Sequence, residues 1–172
     1  DEMGLGKTIE VLAWLALHPE KRPVVIVCPA HLKLNWANEI RNTLPGKQKV
    51  QVLYGTDASQ PIVGDIIIIN YDILHQGWLD PITNLSPQVL VIDEAHYCRN
   101  SKALRTKAVR KLARKVPNVL ALTGTPIVNR PIEGYNIIQM VDKTLFPNFW
   151  EYAHRYCDAK QSWFGWDLKG AS

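Results

Sequence analysis

Apolar residues fall along this chain in two rhythms. Four stretches are continuously apolar and rich in β-branched residues: VVIVC at 24–28, DIIIIN at 65–70, QVLVID at 88–93 and NVLALT at 118–123. Strands of that kind are covered on both faces, as in a parallel sheet. KVQVLY at 49–54 adds a fifth strand. Between the strands the spacing turns helical, in TIEVLAWLAL at 8–17, HLKLNWANEIRNTL at 31–44, SKALRTKAVRKLARK at 101–115 and RPIEGYNIIQMV at 130–141. Strands alternating with helices predict an α/β domain with right-handed crossovers. No internal repeat or low-complexity linker interrupts the pattern. The last stretch, FPNFWEYAHRYCDAKQSWFGWDLKGAS, is aromatic-rich and departs from the alternation.

Composition narrows the class. At 172 residues the chain is long enough for one domain with a full core, and 47% hydrophobic with 21% charged residues is ordinary for a globular protein. No apolar run reaches bilayer length, and no signal-peptide pattern is visible. Cys28, Cys98 and Cys157 lie far apart, none at metal-ligand spacing, which points to reduced thiols in a cytosolic or nuclear setting and to no zinc site. The net charge of +4 is localised: seven of the 20 basic residues sit at 101–115 with no acid among them. Leu104, Ala108 and Leu112 recur there at helical spacing, so the segment reads as an amphipathic helix with a basic outer face. Such a face is either simply solvated or laid against a nucleic-acid backbone.

Candidate chemistry begins in DEMGLGKT. Gly4 and Gly6 allow a tight turn that brings N–H groups towards an anion, and Lys7 and Thr8 stand where a helix would start, a favourable place for phosphate. The fit to a phosphate-binding loop is partial, because Asp1 occupies the position of its first glycine. VLVIDEAH then sets Asp93 and Glu94 at the C-terminal end of a buried strand, where ligands bind in open α/β sheets. Asp93 with the Thr8 hydroxyl suits Mg²⁺, and Glu94 suits orienting or deprotonating a water. The two signals together indicate nucleotide hydrolysis. LALTGTP at 120–126 offers the hydroxyls of Thr123 and Thr125 beside Gly124, although a plain strand-ending turn would look the same.

DEMGLGKT, VIVCPAHLKLNW, IIINYDIL, VLVIDEAHYCRN and LALTGTPIVNRPIE resemble, in order, successive motifs of the superfamily-two helicases, and more narrowly those of the Swi/Snf-type DNA translocase ATPases. In that family the first loop glycine is commonly replaced, in keeping with Asp1. RNA-helicase branches typically carry Ser-Ala-Thr where this chain has Thr123, Gly124 and Thr125. The tail RYCDAKQSWFGWDLKGAS resembles the annealing-helicase branch, whose members rewind DNA and remodel stalled forks.

The resemblance implies a RecA-like P-loop NTPase lobe with a largely parallel sheet flanked by helices, using ATP and Mg²⁺ on double-stranded or forked DNA. It implies that 1–145 is the ATP-binding lobe without its first strand, that 146–172 opens an insertion, and that a second motor lobe completes the engine. By motif, Gly4, Gly6, Lys7 and Thr8 hold the phosphates, Thr8 and Asp93 the metal, and Glu94 the attacking water. His96 links that site to Thr123 and Thr125. Pro29 and its loop, Lys33, Asn35, Asn70 and Tyr71 fall on the nucleic-acid side. Trp36 reads as an indole closing the core and Cys98 as filler, while Trp163 and Trp166 are candidates for base stacking. A nuclear setting follows for a eukaryote, and the nucleoid or cytoplasm otherwise. A restriction-type translocase, an RNA helicase and a scaffold without turnover are the alternatives.

Overall fold

The computed structural model describes residues 6–124, 131–162 and 165–167. Its centre is a five-stranded, wholly parallel sheet in the order β2-β3-β1-β4-β5, with β1 Val24–Cys28, β2 Val50–Val52, β3 Ile66–Asn70, β4 Val89–Ile92 and β5 Asn118–Ala121. The β1, β3 and β4 side chains are buried throughout. Period-two alternation divides them between two cores. Val24, Ile26, Ile66, Ile68, Val89 and Val91 face α1 (Lys7–Leu17) and α2 (Lys33–Thr43), whose Leu12, Leu15, Trp36 and Ile40 cover them. Val25, Val27, Ile67, Ile69, Leu90 and Ile92 face the other layer. Continuous apolar strands thus follow from helices on both sides, as the sequence predicts.

That second layer holds a segment the helical spacing does not reveal. After β3 the chain runs through α3 (Tyr71–Ile73), a π-helical turn (Leu74–Trp78) and α4 (Leu79–Asn84). Gly77 breaks the helix with an extended φ of 163°, and a Cβ there would lie 2.8 Å from the Thr56 carbonyl oxygen. The pieces are too short to show a 3.6-residue period, yet Trp78 is fully buried and donates its indole N–H to Gly55 O at 2.8 Å.

The basic helix forms as α5, Leu104–Ala113, with one correction to its face. Ala108, Val109, Leu112 and Ala113 are buried, whereas Leu104 is 63% exposed. Arg105 donates to Tyr97 O, Arg110 donates to Asn136, and Lys111 pairs with Asp80, so part of the charge is engaged within the chain. α6 (Pro131–Val141) and α7 (Phe149–Tyr156) follow, and a small cluster of Phe146, Tyr152 and Cys157 packs on Ile132, Tyr135 and Ile138. Phe146, Tyr152 and Cys157 therefore tie the start of the segment past 145 to α6. A two-stranded antiparallel hairpin, β6 (Lys160–Ser162) and β7 (Gly165–Asp167), completes the described residues.

Candidate functional site

Parallel strands deliver their C-terminal ends, and the loops that follow, to one edge of the sheet. Here that edge carries a cavity of about 380 Å³. Lys7 and Thr8 from α1, Asp93 and Glu94 after β4, and Thr123 and Gly124 after β5 all line it. Six of the residues expected at a nucleotide site or its coupling element (Gly6, Lys7, Thr8, Asp93, Glu94, Thr123) therefore meet. Gly4 and Thr125 lie outside the described residues, as does Trp163.

The helix start supplies donors. Gly6 takes φ 85°, a left-handed conformation that glycine adopts without a Cβ penalty, and its carbonyl accepts the Glu10 N–H at 2.9 Å. Among the described residues no side chain caps α1, which leaves the first N–H groups of the helix as donors suited to an anion, reinforced by the helix dipole and Lys7.

The acids after β4 are held from several sides. Asp93 N–H donates to Val27 O at 2.8 Å, and Ala95 N–H to Leu122 O at 2.8 Å, committing the backbone on both sides of Glu94 to neighbouring strands. Glu94 between them takes φ 51°, ψ 51°, uncommon for a residue with a Cβ. The Asp93 carboxylate accepts two N–H donors, Glu94 N on Oδ1 at 2.9 Å and Trp36 Nε1 on Oδ2 at 2.8 Å. Burial is the largest influence on its acidity and raises its pKa, with the neighbouring Glu94 charge adding to it. The Trp36 and Glu94 hydrogen bonds and the Lys7 charge act the other way. A cation beside Asp93 would relieve the same desolvation. Its oxygen donors, one carboxylate and the Thr8 hydroxyl, fit Mg²⁺, which keeps waters and phosphates as its other ligands.

His96 sits against Glu94, its Nδ1 2.9 Å from Glu94 Oε2, a close ion-pair distance without the alignment of a hydrogen bond. The side chain it meets is Glu94, one of the acids lining the cavity.

The residues expected on the nucleic-acid side divide. Pro29 ends β1 and is buried, while Ala30 and His31 after it are exposed at the rim. Lys33, Asn70 and Tyr71 turn inward instead of outward. Lys33 is 5% exposed, donates to Leu53 O at 2.9 Å and to Asn70 Oδ1 at 3.0 Å, and lies 4.0 Å from the centre of the Tyr54 ring. Burial lowers its pKa. Those internal acceptors and the ring satisfy the amine where it is, which is why it does not reach out. Tyr71 stacks on Tyr97 and donates its hydroxyl to Asp93 O at 2.5 Å. Asn35 is exposed but lines the nucleotide-side cavity.

Trp36 is in the core, as its sequence reading has it, but its hydrogen bond to Asp93 is a link that reading missed. Leu32, Asn35, Trp36 and Glu39 all line the cavity and recur at spacings of three, four and seven along α2 and the turn before it. That spacing was the available signal that one face of α2 serves both core and site.

A parallel sheet flanked by helices, with a phosphate-loop helix and an Asp-Glu pair at its C-terminal edge, defines a RecA-like P-loop lobe. The family model of the SNF2-related domain matches residues 1–161, and the chain belongs to that family. It is 37% identical over 175 residues to a SWI/SNF-related matrix-associated actin-dependent regulator of chromatin subfamily A-like protein 1 of Xenopus tropicalis, covering 100% of this chain and 18% of that protein. It is 31% identical over 182 residues to the human DNA annealing helicase and endonuclease ZRANB3, covering 100% of this chain and 17% of that one. Among solved structures it resembles the Sulfolobus solfataricus SWI2/SNF2 ATPase core in complex with dsDNA, with a TM-score of 0.76 and 29% identity over 91% of this chain and 33% of that one. The chain thus spans under a fifth of the length of those two curated relatives. No helix among the described residues is long and apolar enough to cross a membrane.

Proposed function

We propose that this chain is the ATP-binding lobe of a DNA-dependent ATPase that translocates on double-stranded DNA and remodels or anneals DNA at stalled forks. The observation that carries the reading is the meeting of Lys7, Thr8, Asp93 and Glu94 around one cavity at the C-terminal edge of the sheet. Lys7 and the first N–H groups of α1 bind the nucleotide phosphates, a role the motif also assigns to Gly4. Thr8 and Asp93 hold Mg²⁺, which when bound neutralises charge on the phosphates. Glu94 orients the attacking water and takes its proton, with His96 fixing the carboxylate from behind. Thr123, and Thr125 beyond it, carry the state of the site towards DNA. Family membership and the names of the relatives support nucleotide and DNA, and the duplex in the Sulfolobus complex supports double-stranded DNA as the track. The exposed Ala30–His31 turn after Pro29 is the part of that segment placed to meet a strand. Lys33, whose backbone N–H bonds Ala30 O, ties that turn through its amine to Asn70 at the end of β3. A second motor lobe in the same protein supplies the arginines that complete the transition state, a contribution of roughly 10³–10⁵ in turnover.

The test is ATP hydrolysis by the full-length protein with no nucleic acid, duplex DNA, forked DNA and RNA in parallel, with Lys7→Ala as control. DNA stimulation abolished in Lys7→Ala is expected, with forks at or above duplex. Equal rates in all four conditions, or stimulation by RNA alone, would overturn the reading.

A further inference from the structure

The Asp93 hydrogen bonds have a pattern of their own. Trp36 reaches the side chain of Asp93 from α2, on the layer shared with α1. Tyr71 reaches the main-chain carbonyl of the same residue from α3, on the opposite layer. Both donors are 2% exposed and so are held in place by the core, while Asp93 is half-buried and keeps one side open to the cavity. Tyr71 lies directly after β3, and Trp36 lies in the first turn of α2, the helix that follows β1. The two segments are joined by Lys33, which donates to Asn70. Asp93 is therefore gripped through both its carboxylate and its backbone by two segments that are tied to each other.

A buried indole needs an acceptor, and a backbone carbonyl would satisfy it. Bonding a carboxylate oxygen does more: the bond is charge-assisted, and with Glu94 N–H on the other oxygen it fixes the plane of the carboxylate. Partners of this kind orient metal-binding groups, and their loss typically costs 10–100-fold in metal affinity or activity.

We infer that Trp36 is the positioning residue of the Asp93 carboxylate, and that Trp36 and Tyr71 together form a clamp through which the β1–α2 and β3–α3 segments set the geometry of the metal-binding side of the site. This deepens the proposed function and rests on it. The clamp gives the Pro29 turn, seven residues before Trp36 along the chain, a mechanical route to the nucleotide.

The experiment is equilibrium binding of ADP to the full-length protein with Mg²⁺ and with EDTA, in wild type, Trp36→Phe, Tyr71→Phe, Asp93→Asn and Trp36→Phe/Asp93→Asn. Wild type binds more tightly with Mg²⁺. Trp36→Phe, which keeps an aromatic ring and removes the donor, loses about 10-fold or more of that tightening while metal-free affinity stays put. Tyr71→Phe loses roughly 2- to 10-fold in the same direction, and it serves as the test if Trp36→Phe fails to fold. In the Asp93→Asn background Trp36→Phe has no further effect, because Trp36 acts through Asp93. Full Mg²⁺ tightening in Trp36→Phe and Tyr71→Phe, or an equal loss from Trp36→Phe in the Asp93→Asn background, overturns the clamp alone. Wild type that does not bind ADP, or Lys7→Ala that binds it equally well, overturns the nucleotide site and the clamp with it.

Discussion

Glu94 should invert the usual order of glycine and alanine. Its backbone sits at φ 51°, ψ 51°, with the N–H groups before and after it hydrogen-bonded to β1 and to the end of β5. It cannot relax without breaking one of those bonds. A left-handed conformation costs a residue with a Cβ roughly 1–2 kcal/mol, which glycine avoids. Against this, glycine loses more freedom on folding than alanine, about 0.4–1 kcal/mol. Glu94→Gly is therefore expected to be more stable than Glu94→Ala by about 0.8 kcal/mol, the difference between those terms. Comparing the two variants cancels the lost carboxylate and its pairing with His96. At roughly 2–4 °C per kcal/mol for a domain of this size, the separation in Tm is about 2–3 °C, measurable by calorimetry on nucleotide-free protein. With Glu94 as the proposed general base, both variants should also lose about 10²–10⁴ in turnover. In a relaxed helix or strand glycine would be the less stable by about 0.5–1 kcal/mol. Glu94→Ala equal to or more stable than Glu94→Gly would refute the strain assigned to this position.

Burial pushes the thiols of Cys28 and Cys98 up to about 12 from their ordinary 9.0, so native protein at pH 8 should leave both unlabelled by iodoacetamide until urea exposes them. The unfolded thiols release their protons near pH 9.0 and the folded ones only near 12, so the native state holds more protons in that window. Stability measured by urea unfolding should therefore fall as pH rises from about 9 to 12. Trp78→Phe leaves Gly55 O without its buried donor and opens space in the core, and should lower unfolding free energy by about 1–3 kcal/mol with little change in ADP affinity.

What the sequence disclosed follows from range. The strands announce themselves because burial on both faces forces uninterrupted apolar runs, and Ile66–Asn70 or Val89–Ile92 admit no other reading. Lys7, Thr8, Asp93 and Glu94 are legible because each pair is adjacent in sequence and sits at the end of a recognisable element. The Trp36–Asp93 bond joins residues 57 positions apart, so its donor looked like any buried indole. Lys33 misled for a related reason: a lysine next to a predicted loop reads as exposed, and its acceptors are distant in sequence, Leu53 O just after β2 and Asn70 Oδ1 at the end of β3. The α3–α4 segment escaped because Gly77 cuts it into pieces shorter than the period that would reveal them. Leu104 reads as core by spacing alone, yet it begins α5 where the helix has not yet met the sheet side of its layer and stays exposed.

The central claim is that the cavity formed by α1, β4 and β5 is a nucleotide site whose binding and hydrolysis are carried by different residues. Calorimetric titration of Mg·ATP into full-length Glu94→Gln and Lys7→Ala addresses it directly. Glu94→Gln, which keeps the phosphate cradle and the metal-binding pair, is expected to bind ATP tightly without turning it over. Lys7→Ala is expected to lose most of the affinity. Equal, tight binding in Lys7→Ala would place the nucleotide elsewhere and contradict the account.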